Sequence, residues 1–166
     1  MDFIGPHTFN VGRFLVGFLT LLPFFFLFEL KKIDKKNCFD KKVFFYLIIL
    51  GFILGVGQAL QQISLIYTDV ANTGVFTVMY VLIVPFISYF VFSKKIHWSV
   101  WPAAILCVLG GLLLSELKNI SVRYGDTLSV LSAFCWALHI IYISKTVKLF
   151  NFPITIAMSQ CFIAFL

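Results

Sequence analysis

Charge is scarce in this sequence. Asp, Glu, Lys and Arg make up 12% of it, against roughly 25% in a soluble domain. Its seven acids, Asp2, Glu29, Asp34, Asp40, Asp69, Glu116 and Asp126, are all expected in loops or at helix ends. With no carboxylate expected in mid-membrane, a buried Asp or Glu that carries protons or binds sodium is disfavoured, as is the usual equipment of a metal-dependent intramembrane enzyme. Ser, His and Asp converge on no hydrolase motif, so no catalytic residue is assigned and the chain is not read as an enzyme. Cys38, Cys107, Cys135 and Cys161 show no paired short spacing, which argues against a zinc site and a disulfide framework; no metal or cofactor is expected. A removable secretory signal is also missing, because the first apolar run ends in Phe28, Glu29 and Leu30 without a small-residue cleavage site. The net charge of +6 does not point to nucleic acid, since the lysines sit between apolar runs and not along a patch interleaved with exposed aromatics.

What fills the sequence instead is apolar: 61% of it is hydrophobic and 18% aromatic. The residues fall into six runs, 11–28, 43–66, 70–92, 98–115, 127–144 and 153–166, most of them near the roughly 20 residues a helix needs to cross the hydrocarbon core. The runs are continuously apolar and too long for the alternating strands of a barrel, so the fold class expected is an all-α polytopic membrane helix bundle. Short connections make neighbouring spans antiparallel. The tightest is the hinge Tyr67, Thr68 and Asp69, which joins two apolar runs into one transmembrane hairpin.

The basic residues orient this bundle, because short loops rich in Lys and Arg stay in the cytoplasm. Lys31, Lys32, Lys35, Lys36, Lys41 and Lys42 follow the first span, Lys94 and Lys95 the third, and Lys145 and Lys148 the fifth; Arg13, Lys118 and Arg123 fall on the other side. The 31–42 loop is therefore expected in the cytoplasm, residue 1 and the 67–69 hinge outside, and the protein in a plasma or bacterial inner membrane.

Inside the spans the polar groups are neutral and arranged in stripes. At about 100° per residue, Gly51, Gly55, Gln58 and Gln62 share one face of the second span, Thr73, Thr77 and Tyr80 a face of the third, and Ser129, Ser132, Trp136 and His139 a face of the fifth. Polar atoms in lipid need partners, so each stripe must face another helix or a water-containing cavity. Two readings stand for each. Gly51 and Gly55 form a small-xxx-small pattern for close helix packing or flank a ligand. Gln58 and Gln62 bond between helices or line a cavity, and His139 is a packing group or a proton carrier. Pro85 predicts a helix kink in the third span, either purely structural or part of a pathway.

A thin internal repeat joins the two ends of the chain: Pro6, Thr8, Arg13 and Leu19 align with Pro153, Thr155, Gln160 and Leu166 at a constant offset. The charge count sends the first span inward and the sixth outward, the relation of an inverted-topology repeat.

These residues resemble the drug/metabolite transporter superfamily, EamA type. The resemblance rests on GPHTFNVGRFLVGFLTLLPF at the first span, GVGQALQQISLIYTDVANTGVFTVMYVLIVPFISYFVF across the second and third, and WPAAILCVLGGLLLS at the fourth. It resumes at YGDTLSVLSAFCWALHIIYISK. It implies ten spans in two five-helix repeats of opposite orientation, with residues 1–118 as a first repeat without its opening helix and 124–166 as the first two helices of a second. The chain is then expected to be a fragment lacking the first helix and the last three. The implied function is secondary transport of small organic metabolites, by a permease or exporter that works through alternating access. The substrate-pathway residues expected are Gln58, Gln62, Thr73, Thr77, Tyr80, Trp136 and His139, whose neutral hydrogen bonds and aromatic faces suit an amino-acid-like or amphipathic solute. The partners are that solute and the lipid bilayer. The alternative is a non-transporting membrane subunit or assembly component whose stripes only bind helices together.

Overall fold

A long, wholly apolar segment can satisfy its backbone in lipid only by closing every N–H and C=O within itself, and in the computed structural model that is what the chain does. The structure describes residues 5–32, 41–90, 97–114 and 123–166. Lys35, Lys36, Lys94, Lys95, Lys118, Cys38, Asp2, Asp34, Asp40 and Glu116 lie outside the described residues, and with them most of the expected cytoplasmic loop and the boundary at residue 118.

The described residues form helices and no strand: α1 (Pro6–Phe24), α2 (Lys41–Tyr67), α3 (Val70–Val78), α4 (Tyr80–Phe90), α5 (Val100–Leu114), α6 (Tyr124–Leu149) and α7 (Pro153–Phe165). Four of the expected spans are helices long and apolar enough to cross a membrane, Pro6–Glu29, Lys41–Tyr67, Val70–Phe90 and Tyr124–Leu149, and the other two are shorter apolar helices. At 1.5 Å per residue, α7 covers about 20 Å, less than the hydrocarbon core of about 30 Å. The surface is apolar where a soluble protein's would be polar: Leu27, Phe44, Phe52, Phe90 and Leu113 are exposed, while Ser64, Ser129, Ser132 and Thr146 are fully buried. The fold is an all-α polytopic membrane bundle.

Two helices depart from regular geometry. After α1, residues Phe25–Glu29 form a π-helical turn in which the Leu30 N–H reaches back five residues to the Phe25 carbonyl at 2.9 Å. Pro23, two residues ahead of it, has no N–H to offer the carbonyl one turn earlier. The third span is interrupted at Met79, between α3 and α4; Pro85 lies six residues further on, buried within α4.

The chain divides into two compact units, Met1–Val56 with Tyr142–Leu166, and Gly57–Ile141. In the first, α1 and α7 pack side by side. Glu29, after the C-terminal end of α1, bonds to the first turn of α7, and Phe18 meets Phe162 at 5.5 Å between ring centroids, so the two helices run antiparallel. Each has a proline in its first turn, Pro6 and Pro153, the pair that opens the sequence repeat. Helix α2 meets α7 through glycine. A Cβ on Gly51 would lie 2.5 Å from the Ile163 Cβ, and one on Gly55 3.5 Å from the Ala164 Cα. The close-packing reading of this glycine pair is thereby met. Val43, Leu50, Phe150 and Ile156 form the buried apolar cluster.

In the second unit, α2 and α3 form the expected hairpin, with Asp69 in extended conformation as the N-cap of α3. Helix α5 packs on α3 and α4, and the Phe86 and Trp101 rings meet edge to face at 5.0 Å.

Candidate functional site

All seven expected pathway residues belong to the second unit, and they form two groups. Thr73 and Thr77 lie buried on the seam between α2 and α3. The Thr77 hydroxyl donates to the Thr73 carbonyl at 2.7 Å and accepts from Gln61 Nε2 at 3.3 Å. The Thr73 and Ser64 hydroxyls lie 3.4 Å apart, and Ser64 donates to the Gln61 carbonyl at 2.7 Å. Gln61 and Ser64 were absent from the sequence stripes. Gln62 is buried and Gln58 half-buried, and each has polar or ring contacts of its own. Tyr80, half-buried, follows the interruption at Met79.

The second group is on α6. The Trp136 and His139 rings stand edge to face with centroids 5.9 Å apart, and Ser132 lies one turn before Trp136. The Ser132 Oγ and the Trp136 Nε1 are buried, and neither has a hydrogen-bond partner among the described residues. An indole N–H is a donor only, so whatever satisfies it must present an acceptor. Two neighbouring donors left without acceptors are costly in a medium that supplies none, at about 1 to 3 kcal/mol each. Among the described residues of the second unit, these two are the buried side-chain polar atoms without a partner.

Acids form part of the architecture in a way their placement at helix ends did not disclose. Asp126 is buried in the first turn of α6. One carboxylate oxygen accepts the Arg123 backbone N–H at 2.8 Å, the backward bond of a capping box with Asp in the third position. The other accepts the Thr68 hydroxyl at 2.6 Å. Alongside, Arg123 Nη1 donates to Asp69 at 3.0 Å in an exposed ion pair. The 67–69 hinge is thus tied to the start of α6 by one buried and one exposed bond. Gly125 lets them meet, since a Cβ there would lie 2.7 Å from the Ser64 carbonyl oxygen.

In the first unit, Glu29 is buried and caps α7 from outside that helix. Its carboxylate accepts the backbone N–H groups of Ile154 at 2.9 Å and Thr155 at 2.7 Å, and the Thr155 hydroxyl at 2.6 Å. These are orphan donors of a helix start, at the positive end of the helix dipole. The sequence did carry a signal, since the residue before Pro153 is Phe152, which has no acceptor to serve as its own cap.

Among the described residues no cluster of His, Cys, Asp and Glu has the makings of a metal site.

The chain matches the model of the EamA-like transporter family over residues 1–116. It is 29% identical over its whole length to an uncharacterized transporter of Archaeoglobus fulgidus, and spans 48% of that relative. No solved structure matches it.

Proposed function

The chain belongs to the EamA-like transporter family, whose members are transporters and not enzymes, and from that premise we propose that it contributes to a secondary transporter of small organic metabolites. The observation that carries the proposal is the pair of buried donors without acceptors, Ser132 Oγ and Trp136 Nε1, on the face of α6 that also holds His139. A carboxylate or carbonyl oxygen of an amino-acid-like or amphipathic solute would satisfy both, and the Trp136 and His139 rings would contact its apolar part. Alternating access between two inverted repeats is the mechanism proposed. The antiparallel α1 and α7, each opening on a proline, support it. The repeats we assign are residues 1–118 and 124–166, and the 31–42 loop is placed in the cytoplasm of a cell whose plasma or inner membrane houses the protein.

The second reading, a membrane subunit whose polar stripes only join helices, is favoured by the α2–α3 seam, where Thr73, Thr77, Gln61 and Ser64 bond to one another. Flux separates the two. Proteoliposomes bearing the protein should take up labelled amino-acid-like solutes, and Trp136→Phe, which keeps an aromatic ring and removes the donor, should lower that flux at unchanged protein content. Absence of flux for every solute offered would leave the subunit reading standing.

A further inference from the structure

In the second unit α2 and α6 meet along a seam whose contacts follow an order. At the hinge, the Thr68 hydroxyl donates to the buried Asp126 carboxylate at 2.6 Å, and Arg123 Nη1 donates to Asp69 at 3.0 Å. One turn of α2 earlier, the Ser64 carbonyl oxygen lies where a Cβ on Gly125 would meet it. Deeper still, a Cβ on Gly57 would lie 3.1 Å from the Cys135 Cβ. Cys135 is about 14 Å along α6 from Asp126 and, at about 100° per residue, shares a face with Ser132 and His139.

The contacts at the hinge are ones that water can replace. Asp69 and Arg123 are already exposed there. A hydrogen bond parted beside water is exchanged for bonds to water, whereas apolar surface parted beside water has no such compensation. Within the first unit the opposite ends of the same two helices are apolar: Val43, Leu47 and Leu50 of α2 belong with Tyr142 and Ile143 of α6 to the buried cluster. The hinge end of the pair is therefore the end that opens more cheaply. Asp126 is suited to such opening, because its other oxygen accepts the Arg123 backbone N–H at 2.8 Å and keeps α6 capped when Thr68 leaves.

We propose that Thr68 and Asp126 are a latch on the α2–α6 seam, with the Arg123–Asp69 pair as its weaker outer part. Engaged, the latch holds the seam shut over Cys135 and the α6 face of Ser132 and Trp136. Released, it admits water and solute to that face from the hinge end. The role rests on the transport reading, in which α2 belongs to the first repeat and α6 opens the second, so that alternating access must part them.

The test uses the whole chain with Cys135 as its sole cysteine, through Cys38→Ser, Cys107→Ser and Cys161→Ser, in phosphatidylcholine nanodiscs open to solution on both faces. The rate at which a sulfonate-bearing methanethiosulfonate modifies Cys135 is followed by intact mass spectrometry. Thr68→Val, which removes the donor and keeps the shape, should raise the rate about tenfold, and Arg123→Gln about twofold. Thr68→Ser, which keeps the hydroxyl, should leave it unchanged, as should Glu29→Gln, which weakens a helix cap in the first unit. Circular dichroism reports that each variant is folded, and Arg123→Gln carries the test by itself should Thr68→Val not fold. An unchanged rate in the folded Thr68→Val, or in Arg123→Gln where that variant stands alone, overturns the latch. So does an equal rise in Thr68→Ser or Glu29→Gln, since the loosening would then be general. The rate is read without solute: absence of flux from proteoliposomes would remove the transport reading while the seam still opened, and flux with an unaltered Cys135 rate would remove the latch alone.

Discussion

Thr68 and Asp126, 58 residues apart in sequence, share a buried hydrogen bond of 2.6 Å that fastens the α2–α3 hinge to the first turn of α6. Its neighbour, the Arg123–Asp69 ion pair, spans the same gap in the open. The two bonds should differ sharply in worth. Thr68→Val keeps the shape of the side chain and strips a buried carboxylate of a donor, so it should cost about 1.5 to 3 kcal/mol. Arg123→Gln should cost at most about 1 kcal/mol and less in high salt. Thermal unfolding of both variants in detergent, at low and high salt, measures the contrast; equal losses would mean that the hydroxyl bond is not what holds the seam.

Glu29→Gln removes the anion at the start of α7 while keeping a side chain of the same shape. Loss of charge at a helix N-terminus with three donors converging on it should lower stability by about 1 to 2 kcal/mol, and Glu29→Ala by more. Pairing Glu29→Gln with Thr155→Val in a double-mutant cycle should give a coupling clearly different from zero, since the two side chains touch at 2.6 Å. Additive losses would remove Thr155 from the cap.

Glycines should respond to alanine according to what stands beside them. At Gly51 the added methyl meets the Ile163 Cβ at 2.5 Å, an atom no rotamer moves, and at Gly125 the Ser64 carbonyl oxygen at 2.7 Å, whereas at Gly74 it meets nothing within 4 Å. Overpacking typically costs about 1 to 3 kcal/mol, and Gly51→Ala and Gly125→Ala should both fall at or beyond the top of that range, with Gly74→Ala causing no loss. Melting temperatures of the purified variants decide it, and a loss at Gly74 matching those at Gly51 and Gly125 would contradict the packing described.

Orientation is tested by cysteine labelling in intact cells. Thr68 is buried and bonded, so it is unsuited as a probe position; Asp69 beside it is exposed. A probe that cannot cross the membrane should modify Asp69→Cys from outside and leave Lys32→Cys unlabelled until the cells are opened. The inverse pattern would turn the whole arrangement over.

His139→Leu separates a cavity from a packed core. If the α6 face of Ser132, Trp136 and His139 lines a solute path, the variant should reach the membrane with wild-type melting temperature and altered solute affinity or altered pH dependence of flux. A packing role predicts a loss of about 1 to 3 kcal/mol in stability instead, because the partner of the imidazole would be left unsatisfied. Flux and melting temperature unchanged together would deny His139 either role.

Much of the fold could be read from hydrophobic run lengths, because lipid leaves a spanning segment few alternatives to a helix. The hinge at Thr68 and Asp69 followed from two long runs with no room for a loop between them, and the Gly51–Gly55 seam from small residues one turn apart. Helical periodicity also found the face of Thr73 and Thr77. It did not find Gln61 and Ser64, which meet them, because period fixes a face and says nothing of its partner. Nor could it show Glu29 reaching Thr155, a bond spanning 126 residues. An acid at the end of an apolar run reads as solvated; only packing reveals that a neighbouring helix lacks a cap and draws the carboxylate inward.

The π-helical turn at Phe25–Glu29 gives that carboxylate its aim by a count of residues. A turn of this kind takes in more chain than an α-turn, so everything after it is rotated relative to a plain continuation of α1. Deleting one apolar residue from the regular part of α1, Leu21 for instance, would swing Glu29 by about 100° around the helix axis relative to the rest of α1, away from Ile154 and Thr155. The composition of the segment would be almost unchanged, and its hydropathy too. The junction between α1 and α7 therefore tolerates exchange of one apolar residue for another far better than it tolerates a change in how many there are.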